Sequence, residues 1–493
     1  MDVGIGWMLL GSVLFVMVLF YLVNWKDDDI RRYSWSIIST TLSIFTAVLI
    51  FSGVRELIFT LLEQVCNMDE REIFRLVVNY VIFLMWFISM HVMIAYQAGV
   101  WTKGAADDMQ RQQWVIADPL MAAFGDEIEE DAVRNRSGVK SVAYIQGLEV
   151  FVQKKQVVRD TRKRRTKGWA MLFAHMAGFA AINAGGELQH SELFRHRPFM
   201  CVLAAAINQS FLCLLFVVLA CHRRRFSGPE GDRCTELRKE AAEDAEGDIS
   251  SLSTSFLLVQ ALRYSLTGFL PSKDGEEGLN TETDFGHIAS LYGIGLGFAA
   301  VSVGLILVPL QPTHALGAVQ NTCAMSFAWC FLWSTRWLAM AWSLLKNLVT
   351  TPTSMEGRIL LALVLSSGAL AVIFILDTIE DFLRDSVGDL SMQSLRHVSR
   401  ILQIIINAQS ILVGFTWEQS FEGGVKAVAS TTDCPVAMKL TISTIVTLVI
   451  IPAWRRYILV KVLALSELRK ERIRALATLG EELVPLTGRP PDE

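Results

Sequence analysis

Arg263 stands near the middle of SLSTSFLLVQALRYSLTGFLP, the run from Ser251 to Pro271. About 20 helical residues cover the roughly 30 Å of bilayer hydrocarbon, so this run is long enough to cross, although Gln260 and Arg263 make it a poor span by composition. An ionisable group at that depth costs about 2.5–3.5 kcal/mol on insertion scales and is therefore paired or functional. Asp377, Glu380 and Glu418 are the carboxylates such an arginine would seek, an anion is another counter-charge, and snorkelling is the bland alternative. Arg55 (beside Glu56), Arg336, Glu187 and Glu418 also fall within apolar runs, all toward one end of them. They suit structural ion pairs, with Arg55 facing Glu187 and Arg336 facing Glu418, or a charged vestibule that selects ions.

A second polar set consists of amides: Asn183, Asn208, Gln209, Gln403, Asn407 and Gln409. Amides bridge helices or line a watery path. Asn407 and Gln409 lie about 200° apart on a helical wheel, so one path cannot use both, whereas Gln403 and Asn407, four apart, share a face. Gly178, Gly185 and Gly186 allow close helix packing, and Gly185-Gly186-Glu187 also resembles the break of a discontinuous transporter helix. His91 and His175 fall at similar depth in two apolar runs, where facing imidazoles would hold a haem iron or another metal. A packed or proton-handling histidine is the commoner outcome.

No GxSxG with triad partners, HExxH, P-loop or strand-linked GxGxxG is present, so no catalytic role is expected. The glycines of YGIGLGF lie within an apolar run rather than at a nucleotide-binding turn. Eight cysteines show no zinc spacing; Cys66, Cys201 and Cys434 fall near one side, where a disulfide is conceivable. The acidic cluster Asp126–Asp131 lacks the ligand pattern of an EF-hand.

These residues are carried by a chain that is 52% hydrophobic and 19% charged, with mean hydropathy +0.39. A net charge of −4 implies no domain-wide basic surface for nucleic acid. Eleven apolar runs read as membrane helices, at about 4–24, 35–60, 73–99, 168–187, 198–221, 251–271, 286–310, 320–345, 358–378, 398–417 and 437–460. The predicted fold class is therefore all-α, a polytopic membrane bundle. Its plan is three spanning helices in 1–100, a cytosolic loop with an amphipathic helix in 101–167, two spans in 168–225, a cytosolic linker in 226–250, a connector span in 251–271, five spans in 286–460 and a cytosolic helical tail in 461–493. Residues 139–160 either lie on the inner membrane face or extend the following helix.

Lysines and arginines gather at Lys26–Arg32, Arg162–Lys167, Arg223–Arg225 and Arg455–Arg474. The positive-inside rule then places the N-terminus outside and the C-terminus in the cytosol, provided 251–271 spans. The sequon Asn135-Arg136-Ser137 falls on the cytosolic side and is expected to be unmodified. Glu187 precedes Arg223 by 36 residues and Glu418 precedes Arg455 by 37; SGVRE at 52–56 echoes STR at 334–336. These echoes suit two parallel five-helix halves joined by a connector.

The expected function is transport or channelling of a small ion or solute. A non-catalytic subunit or scaffold of a larger membrane complex and a haem-bearing redox protein are the alternatives. The lipid bilayer is the expected surrounding, with homo-oligomer or complex partners open.

Overall fold

The computed structural model describes residues 13, 16–65, 72–100, 142–225, 233–273, 275, 284–307, 314–341, 355–386, 392–466 and 468–469. The fold is all-helical, 92% helix, with no strand among the described residues. The helices are α1 (Asp28–Val65), α2 (Glu72–Ala98), α3 (Val142–His190), α4 (Pro198–Arg225), α5 (Arg233–Thr267), α6 (Phe285–Leu307), α7 (His314–Ala341), α8 (Met355–Ser386), α9 (Met392–Ala429) and α10 (Pro435–Ala453), followed by a π-helical turn, Trp454–Ile458. Pro452 precedes that turn. Proline supplies no backbone N–H and crowds the preceding turn, which favours local widening of the helix.

Among the described residues, seven helical stretches are long and apolar enough to cross a membrane: Asp28–Gln64, Glu72–Ala98, Pro198–Arg225, Phe285–Ile306, Gly357–Ile379, Arg400–Ala429 and Pro435–Ser466. This is the make-up of a multi-pass membrane-embedded protein. The expected run 4–24 lies mostly outside the described residues. The expected runs 168–187, 251–271 and 320–345 are helical to 187, 267 and 341 but are not among the seven. Residues 233–250, expected as a linker, form the first half of α5, and α3 continues unbroken from 142 through Gly185 and Gly186.

The chain divides into two compact units. The larger comprises Met1–Phe87, Leu172–Val218 and Glu246–Glu493. In it, most of α5 is buried: Ser251, Leu252, Ser253, Ser255, Phe256, Leu257, Val259, Gln260, Ala261 and Arg263 are interior, while Thr254, Leu258 and Leu262 are half-buried. A helix surrounded by other helices needs no apolar outer face, which is why a hydropathy criterion passes over it.

Register fixes its direction. Gly178 and Gly185 of α3 face Leu252 and Leu257, so α5 runs parallel to α3. Asn208 of α4 meets Ser253, and Cys201 packs with Ala261 and Tyr264, so α4 is antiparallel to it. Trp329 and Trp333 of α7 meet Ser255 and Arg263 in parallel order. Tyr292–Thr335 and Ser302–Gln320 contacts make α6 antiparallel to α7. Successive helices from α3 to α7 therefore reverse direction.

The remaining helices of this unit pack by the same means. Tyr33 and Ile37 of α1 share a core with Ile406, Val413 and Trp417 of α9 and Ala362, Ala369 and Ile373 of α8. α1 and α9 approach closely where Gly414 lies against Thr41 and Ile44. Three buried indoles each donate to a serine hydroxyl on another helix: Trp329 to Ser255 at 3.0 Å, Trp417 to Ser366 at 2.9 Å and Trp454 to Ser39 at 2.9 Å. An indole N–H away from water needs such an acceptor.

The smaller unit comprises Ile88–Met171 and Leu219–Ala245. Within it, Lys167 pairs with Glu240 at 2.9 Å and Arg162 Nη1 donates to Cys234 Sγ at 3.2 Å. The Arg162 side chain also lies over Gly99, which ends α2 at φ +81. Burial and the neighbouring Arg223 hold the Arg238 guanidinium below its ordinary range.

Gly414→Ala should destabilise the fold by about 1–3 kcal/mol, the usual cost of overpacking, because its new methyl would sit 3.2 Å from Thr41 Cα and 2.9 Å from Ile44 Cδ1. Gly297→Ala meets open space and should leave the unfolding midpoint in detergent nearly unchanged. Equal midpoints for the two variants would refute the close α1–α9 approach.

Candidate functional site

A dense polar construction is built on the chain that follows α5. The helix stops at Thr267 because Gly268 adopts φ +75, a left-handed conformation that costs glycine nothing. The chain then folds back to Gly275, which is also left-handed at φ +80. Gln260 Nε2 donates to the carbonyls of Pro271 (3.1 Å) and Ser272 (2.7 Å). His190, the last residue of α3, sets Nε2 at 2.9 Å from the Pro271 carbonyl and Nδ1 at 2.8 Å from the Gly186 carbonyl. Lys273 pairs with Glu187.

Arg263 closes the far side of this fold. It is 0% exposed and donates from Nη2 to the Gly275 carbonyl at 2.9 Å. Its guanidinium lies 3.8 Å from the Trp333 ring centroid and 5.9 Å from that of Trp337. A desolvated cation on an indole face is attracted by about 2 kcal/mol or more. Gly275 is required here twice: by its backbone angle, and because a Cβ would fall 2.7 Å from Trp333 Cζ2.

Two groups of ionisable side chains join helices of the larger unit, the first of them through the returning chain. In the first, Glu187 meets Lys273 and, at 3.6 Å, Arg75 of α2. Arg55 of α1 donates to Asn79 Oδ1 at 3.3 Å, and Asn79 donates to the Arg75 carbonyl. The expected Arg55–Glu187 pair is thus replaced by Arg55–Asn79 and by Glu187 with Arg75 and Lys273. In the second, Lys439 of α10, 3% exposed, lies 2.5 Å from Glu56 of α1 and 3.7 Å from Glu422 of α9. Lys426 also pairs with Glu422, at 3.0 Å.

The other predicted residues lie on α3, α4, α7, α8 and α9, and Arg336 faces the same Trp333 ring as Arg263. Arg336 is buried on α7, 5.3 Å from the Trp333 ring, and Glu418 is buried on α9. The amides do not form one line. Asn183 bonds the Phe179 carbonyl of its own helix. Asn208 accepts from Tyr80 at 3.0 Å and donates to Ser253 at 3.1 Å, while Gln209 engages Ser250 and Thr254. Gln409 is buried but Asn407 is exposed, and the side chain of Gln403 lies outside the described residues. The carboxylate of Glu380 and the sequon at Asn135 also lie outside them.

His175 Nδ1 lies 2.9 Å from Ser43 Oγ, a polar contact within the larger unit. His91 belongs to the smaller unit, near Arg223 and Arg238. Among the described residues no cluster of three His, Cys, Asp or Glu side chains could hold a metal. Cys201 and Cys434 are free thiols; Cys201 is buried and Cys434 exposed, while Cys66 lies outside the described residues.

Sequence reasoning passed over Lys439, although the rule that singled out Arg263 applies equally to a lysine in PVAMKLTISTIV. It also passed over Gln189, which donates to the carbonyls of Cys201 and Leu257, both at 3.0 Å. Gly275 and His190 carried no local signal, because their roles arise only when the chain folds back on α3 and α5.

Comparison with protein-family models, with curated proteins and with solved structures finds no match to this chain.

Arg263→Ala removes both the donor to Gly275 and the cation over Trp333, and should cost about 3 kcal/mol in stability. Arg263→Lys should recover less than half of that, because an ammonium cannot stack as a guanidinium does. Thermal unfolding of the purified variants checks both; full rescue by lysine would show that charge alone matters.

Proposed function

We propose that the protein is a membrane transporter or channel for a small ion or solute, with its working groups at the ionisable side chains around α1, α3, α9 and α10. The observation that carries this reading is Lys439, nearly buried between carboxylates from two different helices. A buried cation with one near and one farther carboxylate has two pairing states available, the kind of element on which a moving bundle depends. Arg55, Glu187, Arg336 and Glu418 belong to the same proposed ion pathway, Arg263 anchors its interior, and Asn183 and Asn407 are peripheral to it.

The topology proposed with this function has eleven spans, an outer N-terminus and a cytosolic C-terminus, with α5 as the connector between two five-helix halves. The reversal of direction at each helix from α3 to α7 supports a crossing by α5. A resident cofactor is not part of the proposal.

A second reading, a non-catalytic subunit of a larger membrane complex, draws support from Asn208, Gln209 and Gln260. Their partners are other helices and the returning chain, as in a static scaffold.

Reconstituted into liposomes, the purified protein should pass at least one of protons, alkali cations or small anions. Lys439→Met should lower that flux about tenfold or more, the effect of losing one charged interaction of about 1.4 kcal/mol or more. Absence of flux for all these ions, together with stoichiometric co-purifying membrane proteins, would favour the scaffold. A reporter cysteine at Ser272 should react with an impermeant thiol reagent on intact cells while one at Ser227 does not; equal reactivity would overturn the crossing of α5.

A further inference from the structure

A serine or threonine hydroxyl in an apolar helix can satisfy itself on the carbonyl four residues earlier. On α10, Thr441 and Thr444 do so, both at 2.8 Å, and both are exposed. The inward hydroxyls of the same helix do not. Ser443, 2% exposed, and the enclosed Oγ1 of Thr447 have no hydrogen-bond partner among the described residues. Neither has the Oγ1 of Thr46 on α1, also 2% exposed. A buried hydroxyl without a partner carries the full cost of its desolvation.

These groups lie along one interface. Lys439, Ser443 and Thr447 follow at four-residue intervals and share a face of α10. Ser39, Ser43, Thr46 and Gly53 form a matching stripe on α1, and all four are buried. Three contacts fix an antiparallel register: Lys439 with Glu56, Ser443 with Gly53, and Trp454 with Ser39. Thr46 and Thr447 then fall at one level, between the last two contacts. Ser43, next along the stripe, meets His175 of α3 at 2.9 Å. The polar seam from Glu56 to Ser39 covers about 25 Å of helix, close to the roughly 30 Å of bilayer hydrocarbon.

We propose that this seam between α1 and α10 binds water along its hydroxyls and that the solute it passes is the proton. The proposal rests on the transport reading above and names its substrate. Two features favour a proton over a metal cation. The room is small: a Cβ on Gly53 would meet Leu440 Cδ1 at 3.4 Å and Ser443 Oγ at 3.8 Å, ordinary contact distances. The space beside that hydroxyl takes a methyl group, which is comparable to one water and smaller than a hydrated ion. The Lys439 ammonium also stands at one end of the seam, where it repels a metal cation. A hydroxyl accepts on a lone pair while it donates its hydrogen. A proton taken up on one side is matched by one released on the other, and the oxygen ends neutral, so no side chain in the seam has to change its charge. Hydroxyls four residues apart on a helix are separated by about 6 Å. That is too far for a direct bond, and water completes the chain.

The purified full chain is tested in liposomes. Proton entry driven by a potassium diffusion potential is read with an entrapped pH dye, and sodium, potassium and chloride are followed as tracers in parallel vesicles. The parent protein should admit protons. Ser443→Ala and Thr447→Val delete the hydroxyls at nearly constant shape, and each should lower the proton flux about tenfold. Gly53→Ala should lower it as much by filling the space beside Ser443, with little change in the unfolding midpoint. Thr444→Val, at an exposed position, should match the parent. Proton flux that is the same in all four variants as in the parent would overturn the seam. Tracer movement without proton entry would overturn the inference and leave the transport reading standing; no movement of any ion would overturn both. Should Gly53→Ala fail to fold, Ser443→Ala and Thr447→Val decide between these outcomes.

Discussion

A guanidinium that reaches no water must find its partners in the protein, and Arg263 draws two of them from other parts of the fold. Its plane lies on Trp333 and its Nη2 reaches Gly275. Neither partner comes from α5 itself: one is carried by α7, and the other by a chain that leaves α5 and turns back. The clamp therefore requires α7 to lie alongside α5 in a set register and requires the returning segment to end in a glycine. Placing one cation in the interior thus constrains two helices and a loop.

The same constraint governs the milder polar groups. In an apolar layer each N–H and O–H is matched internally or it costs several kcal/mol. Serines answer it locally, as when Ser251, Ser334 and Ser410 donate to the carbonyl four residues earlier. Indoles cannot reach back along their own helix and so use hydroxyls on neighbours, which turns Trp329, Trp417 and Trp454 into cross-links between helices. Gln189 and Gln260 go further, each offering its two amide hydrogens to two carbonyls. Specific pairing of this kind sets register where apolar packing alone is tolerant.

The sequence was most legible where the outside of the bundle is apolar. α2, α4, α6, α8 and α10 stand out by hydropathy, and their boundaries fall close to the runs read from the chain. It was less legible at α5 and α3. A hydropathy window favours helices with a broad apolar outer face, and α5 packs most of its surface against other helices. The polar stretch before Ser251 reads as a linker for the same reason that Gln260 and Arg263 weaken the span: interior helices are polar where they meet other polar groups. Charged residues were legible as types but not as pairs. Arg55 and Glu187 looked complementary by depth, yet Glu187 is taken by Arg75, at the very start of the run 73–99, and by Lys273, just past the run 251–271. Lys439 was legible in principle. Gly275 and His190 were not, since no periodicity records where a loop returns.

Adjacent residues on α1 bring the charged groups into one frame. Successive side chains on a helix point about 100° apart, so Arg55 and Glu56 diverge. Arg55 turns to Asn79 of α2, and through that helix to the Arg75–Glu187–Lys273 group. Glu56 turns to Lys439 of α10, and so to Glu422 and Lys426 of α9. Rotation of α1 about its axis would disturb both groups at once, and a translation that preserved one would strain the other. The close approach at Gly414 further restricts α1 against α9. Movement of either charge group is thereby coupled to the other through the orientation of one helix, without a direct bond between them. Since Lys273 also belongs to the segment that Arg263 and His190 hold, the interior clamp and the two charge groups share a single mechanical frame, in which α1 is the common member on one side and the end of α3 on the other.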